Sequence, residues 1–518
     1  MLARTSMENI LKGASAVGLS LTLYGCGTGS TTARTSQIPE ASLAQQSDIS
    51  VAGSQAGVTP FISSVQFTGQ KVSEVTSVTF SISPMPNSVS LPVTVTWSAA
   101  ILSARGYLQA NLINLPVFGL YTGYQNQVSF KLTFDDGSVQ QLQYQIATQP
   151  YTDPSGVYLN PTIIKARAPG SALGFNFFIM KSLLGSPVIV DTDAQVRWIV
   201  PANGTLAVYY ANGQFVTGSQ YAPAVTVLQF DGTQSTPQTD LPQPLLASFT
   251  HNIDPGPSGD LAEFNGTDDL GDSFGDIVAE IVPFSTQPPI QTFDMADILT
   301  SYMQAHGDDA SAFVWPGMDW FHVNASTYDP SDSTVIISSR ENFLIKVDYS
   351  THDIVWILGD PTKYWYSFPS LRAKALTLNG GGDYPIGQHA VSITADGYVM
   401  VSNDGYGSLN QPPGEPSGLT RTFSEVSAYS VDTTTMTARN VWNFNYGQSI
   451  FSPICGSSYE SGNSYLVDFA TADNFQEARL VGLDANKNVV FDFQYASPGF
   501  CYAAWNAIPI QMENLQIN

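Results

Sequence analysis

Short segments in which apolar and polar residues alternate recur along residues 57–150, for example at 77–82, 93–97 and 128–134. Alternation with a period of two places successive side chains on opposite faces of a strand. Turn-forming runs separate these segments, among them Met85-Pro86-Asn87 and Asp135-Asp136-Gly137. The pattern predicts five to seven strands in about 90 residues, which is typical of a small immunoglobulin-like β-sandwich.

From residue 157 onward a different unit repeats: an apolar strand, an Asp-rich turn, and a second apolar strand that often ends in an aromatic residue. Copies lie at 188–198, 345–356, 429–442 and 481–491. Strand units that recur roughly every 50–70 residues favour a propeller, with about six blades in the remaining chain. We therefore predict an all-β protein, with a six-bladed β-propeller over 151–518 behind an N-terminal immunoglobulin-like β-sandwich over 57–150. One helix is expected at 297–306, capped by Thr292 or Asp294.

Three of the five histidines head similar strand–turn–strand units. His251, His322 and His389 are separated by 71 and 67 residues, which matches the spacing of the repeat. Because equivalent inner strands of a propeller converge on its axis, the three side chains are expected to meet there. The other two, His306 and His352, are expected to be ordinary surface residues.

The charge of the chain limits its partners. It carries 43 Asp and Glu against 19 Lys and Arg, a formal net charge of −24, so a nucleic-acid partner is not expected. An anionic substrate would need a local cluster of donors. Arg340 ends the strand predicted to pair with the strand of His322, and Asn324 lies two residues after His322. These side chains could hold a tetrahedral anion.

The N-terminal segment predicts export. Basic residues, an apolar run of about 12 residues and the sequence Leu23-Tyr24-Gly25-Cys26 indicate a lipoprotein-type signal peptide over 1–25, since the run is too short to span a membrane. Cys26 is then the lipid-modified residue that heads a flexible linker over 26–56, with plain cleavage as the alternative. The protein is expected at the periplasm or cell surface, touching the membrane only through this anchor.

Two cysteines remain, Cys455 and Cys501. An even pair in an exported protein favours a disulfide. Two buried free thiols remain the alternative, because the sequence does not give the distance between their Cα atoms.

Several runs resemble the bacterial arylsulfate sulfotransferases over roughly residues 57–518. They are DWFHVNA (319–325), SSRENFLIKVD (338–348), IVWILGD (354–360), GQHAVS (387–392), SNDG (402–405) and, in the sandwich, LPVFGLYTGYQNQV (115–128). The resemblance implies a six-bladed propeller with an appended sandwich, a phenolic sulfate donor, a phenolic acceptor and no cofactor. Whether the protein is a homodimer is left open.

The same resemblance assigns roles to the residues singled out above. His389 falls on the family's nucleophile, which would carry the sulfuryl group as a sulfohistidine in a ping-pong mechanism. His322, Asn324 and Arg340 fall on the anion-binding residues, and His251 on a further active-site histidine. A protonated His322 or His251 would meet the departing phenolate oxygen.

Two other functions are compatible with the pattern. The three histidines could bind a metal, although a fixed cation at Arg340 and the lack of a nearby carboxylate disfavour this. The chain could also be a secreted binding propeller without catalysis. The motifs G-x-x-x-x-G-K and H-E-x-x-H do not occur, nor does the C-x-P-x-R setting of sulfatases. Trp320, Tyr364 and Trp365 could line an aryl site, with ordinary packing as the alternative.

Overall fold

The structure is a computed structural model that describes residues 48–182, 187–199, 205–211, 214–219, 222, 224–236, 246–267, 273–282, 287–315, 318–497 and 499–517. The expected signal peptide and Cys26 lie outside these residues.

The N-terminal domain is a sandwich of two sheets, of four and five strands. Its strands are β1 (Ile49–Ala56), β2 (Ile62–Gly69), β3 (Val75–Ile82), β4 (Val93–Ser98), β5 (Leu108–Gln109), β6 (Leu112–Phe118), β7 (Gln125–Phe134) and β8 (Val139–Ala147). One sheet has the order β1-β2-β6-β5, and the other contains β4-β3-β7-β8. The alternation predicted at 77–82, 93–97 and 128–134 falls on β3, β4 and β7, which bury every second residue.

The domain begins earlier than predicted. The linker expected over 26–56 includes β1, which pairs antiparallel with β2. Serine, glycine, glutamine and alanine fill most of β1, so its composition suggests a linker. Ile49 is nevertheless fully buried and Val51 packs against the same apolar cluster, and pairing with β2 satisfies the backbone. One buried and one half-buried apolar residue, together with a ladder, are enough to order a segment that lacks a strand-like composition.

Residues from 162 onward form six further sheets of four or five strands among the described residues. The strands are β9 (Thr162–Lys165), β10 (Phe177–Lys181), β11 (Val188–Asp191), β12 (Val196–Ile199), β13 (Thr205–Ala211), β14 (Gln214–Ser219), β15 (Val225–Gln229), β16 (Gln234–Ser235), β17 (Ser248–Pro255), β18 (Asp260–Thr267), β19 (Ser273–Ile281), β20 (Gln291–Asp294), β21 (Val323–Asp329), β22 (Thr334–Ser339), β23 (Leu344–Asp348), β24 (Ile354–Leu358), β25 (Thr377–Leu378), β26 (Gln388–Ile393), β27 (Val399–Asn403), β28 (Glu425–Asp432), β29 (Thr437–Phe444), β30 (Ser457–Ser461), β31 (Ser464–Thr471), β32 (Glu477–Leu483), β33 (Val489–Ala496) and β34 (Asn506–Ile510). The all-β class and the propeller are confirmed.

The predicted Asp-turn hairpins are the outer strand pairs of these sheets. Asp348 ends β23, and its carboxylate accepts hydrogen bonds from the backbone N–H groups of Ser350 and Thr351. Asp484 does the same after β32, toward Asn486 and Asn488. An aspartate that satisfies the N–H groups of its own turn fixes the hairpin locally, which explains why the signal is visible in the sequence.

The last strands of the chain close both domains. β34 pairs antiparallel with β10, so one sheet is built from residues about 330 apart in sequence. After β34 the chain returns to the sandwich, where β35 (Leu515–Ile517) pairs parallel with β4. The propeller domain predicted over 151–518 therefore gives its final strand to the sandwich.

Three α-helices occur among the described residues: α1 (Ala99–Ala104), α2 (Met295–Ala305) and α3 (Pro369–Arg372). A further single turn, Ala472–Phe475, has positive φ at its last three residues. Single 3-10 turns lie at Val72–Glu74, Ala310–Ala312, Tyr364–Ser367 and Tyr446–Gln448. The predicted helix is α2. Asp294, one of the two predicted caps, accepts hydrogen bonds from the N–H groups of Ala296 and Asp297. Within the described chain no helix is long and apolar enough to span a membrane.

The two domains share a core. Phe118 of the sandwich stacks on Phe230 of the propeller, with ring centroids 4.5 Å apart. Beside them the Arg105 guanidinium donates to the Asp231 carboxylate at 3.0 Å. A continuous apolar cluster runs through both domains, so the sandwich is fixed to the propeller.

Cys455 and Cys501 form a disulfide with a Cα–Cα distance of 6.4 Å, as predicted. The pair packs with Ala470 and Trp505 in a small apolar cluster, against which Ile454 also packs.

Candidate active site

Three inner strands carry a β-bulge at the residues that the sequence singles out. The pairing register shifts around His251 in β17, around Asn324 in β21, and between His389 and Ser392 in β26. A bulge turns a side chain out of the regular alternation and is common next to functional sites. Each of the three strands therefore has a backbone irregularity at or beside a residue that the sequence singles out.

The strands bring the three histidines together, as the repeat predicts. The ring centroid of His251 lies 5.0 Å from that of His322 and 6.3 Å from that of His389. His322 immediately precedes β21 with a positive φ of 50°. Since positive φ is uncommon outside glycine, the fold holds this residue in a strained conformation at the cluster.

The ring of His389 is buried and oriented by its Nδ1 atom. Nδ1 lies 3.1 Å from the carbonyl oxygen of Gly387 and 2.9 Å from Oδ2 of Asp404. The carbonyl contact has hydrogen-bond geometry, whereas Asp404 Oδ2 lies close but out of line. A carbonyl oxygen can only accept, so the proton is on Nδ1 and the lone pair is on Nε2. Nε2 is the atom that could act as a nucleophile.

The surroundings keep His389 uncharged. Burial, followed by the nearby Arg340 and His322, holds the pKa of His389 well below its ordinary value. For His251, burial and then the other two histidines hold the pKa well below its ordinary value. Burial also raises the pKa of Asp404 well above its ordinary value, with Arg340 opposing. Two of the three histidines are thus neutral at physiological pH.

His322 has different surroundings. Its Nδ1 contacts a carboxylate oxygen of Asp319, and about 29% of its side chain is exposed. This contact with a carboxylate and this exposure set His322 apart from His389, whose side chain is only 3% exposed.

Arg340 forms an ion pair with Glu341, a residue that the sequence pattern did not single out. Its Nη1 donates to Oε1 of Glu341 at 2.8 Å, both side chains being buried. Nη2 lies 3.5 Å from the carbonyl oxygen of Pro453. The Nε–H group is buried, with no acceptor among the described residues. The Nε–H donor therefore remains available to bind an anion beside His389.

Glu341 also anchors the loop that follows β27. Its Oε2 accepts hydrogen bonds from the N–H groups of Leu409 and Asn410, at 2.6 and 2.8 Å, and from the hydroxyl of Ser408. Although burial opposes ionisation, Arg340 and these hydrogen bonds hold the pKa of Glu341 below its ordinary value. The signal available in the sequence was its position in the SSREN run beside Arg340.

The side chain of Asn324 links two strands of the site. Its Nδ2 donates to the carbonyl oxygen of Gln388 at 2.7 Å, so β21 is tied to β26 just before His389. The expectation that its amide group donates to an anion therefore meets a competing partner. Its Oδ1 is buried with no donor among the described residues.

Buried polar side chains also pair with one another on the strands that carry the histidines and on strands beside them. Lys181 Nζ donates to Oδ1 of Asn252 at 2.9 Å, and Ser326 donates to Oε1 of Glu263 at 2.7 Å. Burial lowers the pKa of Lys181 to about 8 and raises that of Asp254 to about 7. Alternation in the sequence does not distinguish these buried polar residues from surface polar residues.

The remaining predicted residues lie elsewhere. His306 follows α2, with Nδ1 near the carbonyl oxygen of Tyr302, and His352 sits in the turn between β23 and β24. Trp320 and Trp365 are buried in the apolar core of their sheet, where they pack on Phe313 and Phe343. For these two tryptophans the packing alternative is correct. Within the described residues no set of three or more His, Cys, Asp or Glu side chains is arranged to hold a metal ion.

Fold and site together define a β-propeller protein with an N-terminal sandwich and a cluster of histidines beside a buried arginine. Residues 162–501 match the family model described as arylsulfotransferase (ASST), and residues 56–149 match that of the arylsulfotransferase Ig-like domain. The chain belongs to the arylsulfotransferase family.

Curated relatives agree with this. A segment of 158 residues is 28% identical to arylsulfate sulfotransferase AssT of Escherichia coli O6:H1, covering 27% of this chain and 26% of that protein. A segment of 177 residues is 27% identical to the AssT of Lelliottia amnigena, covering 31% and 29%. The chain thus matches less than a third of the length of either relative.

Solved structures resemble the chain only in part. The β-propeller domain of Myceliophteria thermophila Cps50 (Swd1) is 10% identical, with a TM-score of 0.35 over 66% of this chain and 90% of that one. A europium-containing methanol dehydrogenase is 11% identical, with a TM-score of 0.30 over 72% and 75%. Similarities this low carry no argument about function.

Proposed function

We propose that this protein transfers a sulfuryl group from a phenolic sulfate ester to a phenolic acceptor by a ping-pong mechanism, without a nucleotide donor. The observation that carries the proposal is the oriented His389 ring. Its Nδ1 atom faces Gly387 and Asp404, which leaves the lone pair on Nε2, and the charge of Arg340 acts on the ring. Membership of the arylsulfotransferase family supports the sulfuryl group as the one transferred.

In the first half-reaction Nε2 of His389 attacks the sulfur atom. The N–S bond forms as the S–O bond to the ring breaks, and the electron pair of that bond leaves on the phenolate oxygen. This oxygen takes a proton from His322, whose Nδ1 contacts the carboxylate of Asp319. His251 is not suited to this step because its surroundings hold its pKa well below its ordinary value.

The second half-reaction reverses these movements. The acceptor phenol returns a proton to His322, and its oxygen attacks sulfur. The N–S electron pair then returns to Nε2 of His389. While the ring carries the sulfuryl group it is positively charged, and the carbonyl oxygen of Gly387 and Oδ2 of Asp404 face Nδ1 with the negative ends of their dipoles. The Nε–H group of Arg340 binds a sulfuryl oxygen in both halves.

The test is incubation with 4-nitrophenyl sulfate, with and without added phenol. Chromophore release should depend on phenol, and donor alone should leave one sulfuryl group on the peptide that contains His389. His389→Asn should abolish both, whereas His306→Asn, a matched change away from the cluster, should abolish neither. A His389→Asn enzyme that transfers sulfate at a near-normal rate would refute the proposal.

The same purified protein also tests the alternative of a three-histidine metal site. Full activity after exhaustive chelation, with no stoichiometric metal in the purified protein, supports the histidine mechanism. Loss of activity on chelation and its recovery with a metal would favour a three-histidine metal site.

We also propose that the protein is exported and anchored by lipid at Cys26. The support is the sequence pattern at 1–26. Cys26→Ser should release the protein into the soluble fraction with its activity intact. Unchanged membrane association of that variant would contradict the anchor.

A further inference from the structure

A cavity of about 540 Å³ lies outside the residues assigned above. Its walls include the aromatic rings of Tyr406, Phe451 and Phe475, with the ring centroids of Tyr406 and Phe451 6.4 Å apart. The volume falls in the range typical of small-molecule sites, which are commonly lined by apolar and aromatic side chains.

Strand direction places this cavity at the same rim as the histidines. In each sheet the first strand begins, and the second strand ends, at one edge. His389 lies at the start of β26, and Arg340 follows the end of β22. The cavity is lined by loops that follow β27, precede β30 and follow β31. All of these chain ends belong to the same edge of the propeller.

Three contacts join the cavity to the site. Its wall residue Pro453 offers its carbonyl oxygen to Nη2 of Arg340. A second wall residue, Leu409, donates its N–H to Glu341, the ion-pair partner of Arg340. Ile454 packs against the cluster that contains Trp505, whose ring centroid lies 5.6 Å from that of His251. The cavity therefore adjoins both the anion-binding arginine and the histidines.

The wall formed by residues 473–475 has an unusual backbone. Asp473, Asn474 and Phe475 have φ values of 46°, 55° and 67° in succession. Positive φ is uncommon outside glycine, and strained backbone tends to persist at ligand sites. This backbone holds Phe475 in the cavity wall, where its ring stacks on Phe500 at 6.2 Å.

One wall residue adds charge. Among the described residues that line the cavity, Asp473 carries the only charged side chain, and it is exposed. The chain as a whole is also strongly acidic. An aryl ring with a carboxylate would be repelled there, whereas one with an ammonium group would be attracted.

We propose that this cavity holds the aromatic ring of the sulfate donor and then that of the acceptor, and that Asp473 selects cationic phenols over anionic ones. This inference rests on the proposed sulfuryl transfer. Because one cavity serves both substrates in turn, excess acceptor should inhibit competitively against the donor.

The test compares two acceptors of similar size and opposite charge, tyramine and 4-hydroxyphenylacetate, with 4-nitrophenyl sulfate as donor. Wild type should favour tyramine in kcat/KM. Asp473→Asn should reduce that preference by about two- to fivefold, the scale of an exposed charge pair. Asp396→Asn, in an exposed turn at the opposite edge, should leave it unchanged.

A second variant tests the ring site itself. Phe451→Ala should raise KM for the donor and both acceptors about tenfold, because the substrate ring then buries less apolar surface against the wall. Ile163→Ala on the exposed outermost strand should not change KM. If Phe451→Ala does not fold, Asp473→Asn still tests the proposal, because Asp473 is exposed and its substitution should not disturb folding. Wild-type transfer with unchanged preference in Asp473→Asn overturns the cavity proposal alone. Absence of transfer by wild type overturns the proposed function, and this inference with it.

Discussion

Oδ2 of Asp404 lies 2.9 Å from Nδ1 of His389, on the side of the ring opposite the proposed nucleophilic atom. Asp404→Ala should lower kcat by about 10–100-fold, as loss of a group that orients a histidine typically does. Asp404→Asn retains an acceptor oxygen and should recover part of that activity. The measurement is steady-state kinetics with 4-nitrophenyl sulfate and phenol.

A purely structural role for Asp404 would predict otherwise. Both substitutions would then lower thermal stability and activity together, and the Asn variant would offer no rescue. Asp396→Ala, in the exposed turn after β26, serves as the control and should leave kcat unchanged.

The pH dependence of the donor half-reaction follows from the shifted pKa of His389. A histidine whose pKa is held below 6.5 is still neutral, and still nucleophilic, when the pH falls to 6.5. The acid limb of kcat/KM for the donor should therefore lie below pH 6.5. Arg340→Gln removes a cation that depresses this pKa, so it should move the limb upward while slowing the reaction by about 10²–10³-fold. An acid limb at or above 6.5 in wild type would contradict the assignment.

Two donors with different leaving groups distinguish the roles of His322 and His251. If His322 gives a proton to the departing oxygen, His322→Asn should slow transfer from phenyl sulfate by about 10²–10⁴-fold. It should slow transfer from 4-nitrophenyl sulfate much less, because that phenolate leaves readily without a proton. His251→Asn should affect both donors alike. Equal sensitivity of both donors to His322→Asn would assign the acid to another residue.

Asp468 gives a prediction about stability. This carboxyl group is buried in β31, and neither oxygen has a hydrogen-bond donor among the described residues. Burial raises its pKa well above the ordinary value. Its contribution to stability is complete below the pKa of the unfolded chain and is lost as the pH rises through the folded value.

Asp468→Asn removes that titration. Between pH 5 and pH 8 the unfolding free energy of wild type should fall more steeply than that of the variant, by up to about 1.4 kcal/mol per pH unit, the limit for one proton. Urea unfolding at several pH values measures the slopes. Parallel slopes in wild type and Asp468→Asn would show that the group does not titrate in this range, and Asp396→Asn should match wild type.

Much of this architecture is visible in the sequence because its signals are local. An aspartate such as Asp348 satisfies its own turn, and α2 carries its own cap at Asp294. The histidine spacing is visible because each histidine occupies the same place in a repeated unit.

What the sequence does not show depends on pairing between distant strands. Asp404 reaches His389 only because β27 runs antiparallel to β26, and Glu341 meets Leu409 across 68 residues. Hydrophobic pattern alone likewise does not separate Trp320, a core residue, from Phe451, a cavity wall. β1 was missed because pairing with β2, rather than its own composition, orders it.

The ring of sheets closes only when β34 docks on β10, and β35 then joins β4 of the sandwich. Residues 506–517 thus complete two domains, and their partner strands β10 and β4 precede them by hundreds of positions. During synthesis, neither domain can reach its final form until this segment has been made. The nascent chain therefore stays incompletely folded while it lengthens, a condition that the proposed export through a narrow channel would require.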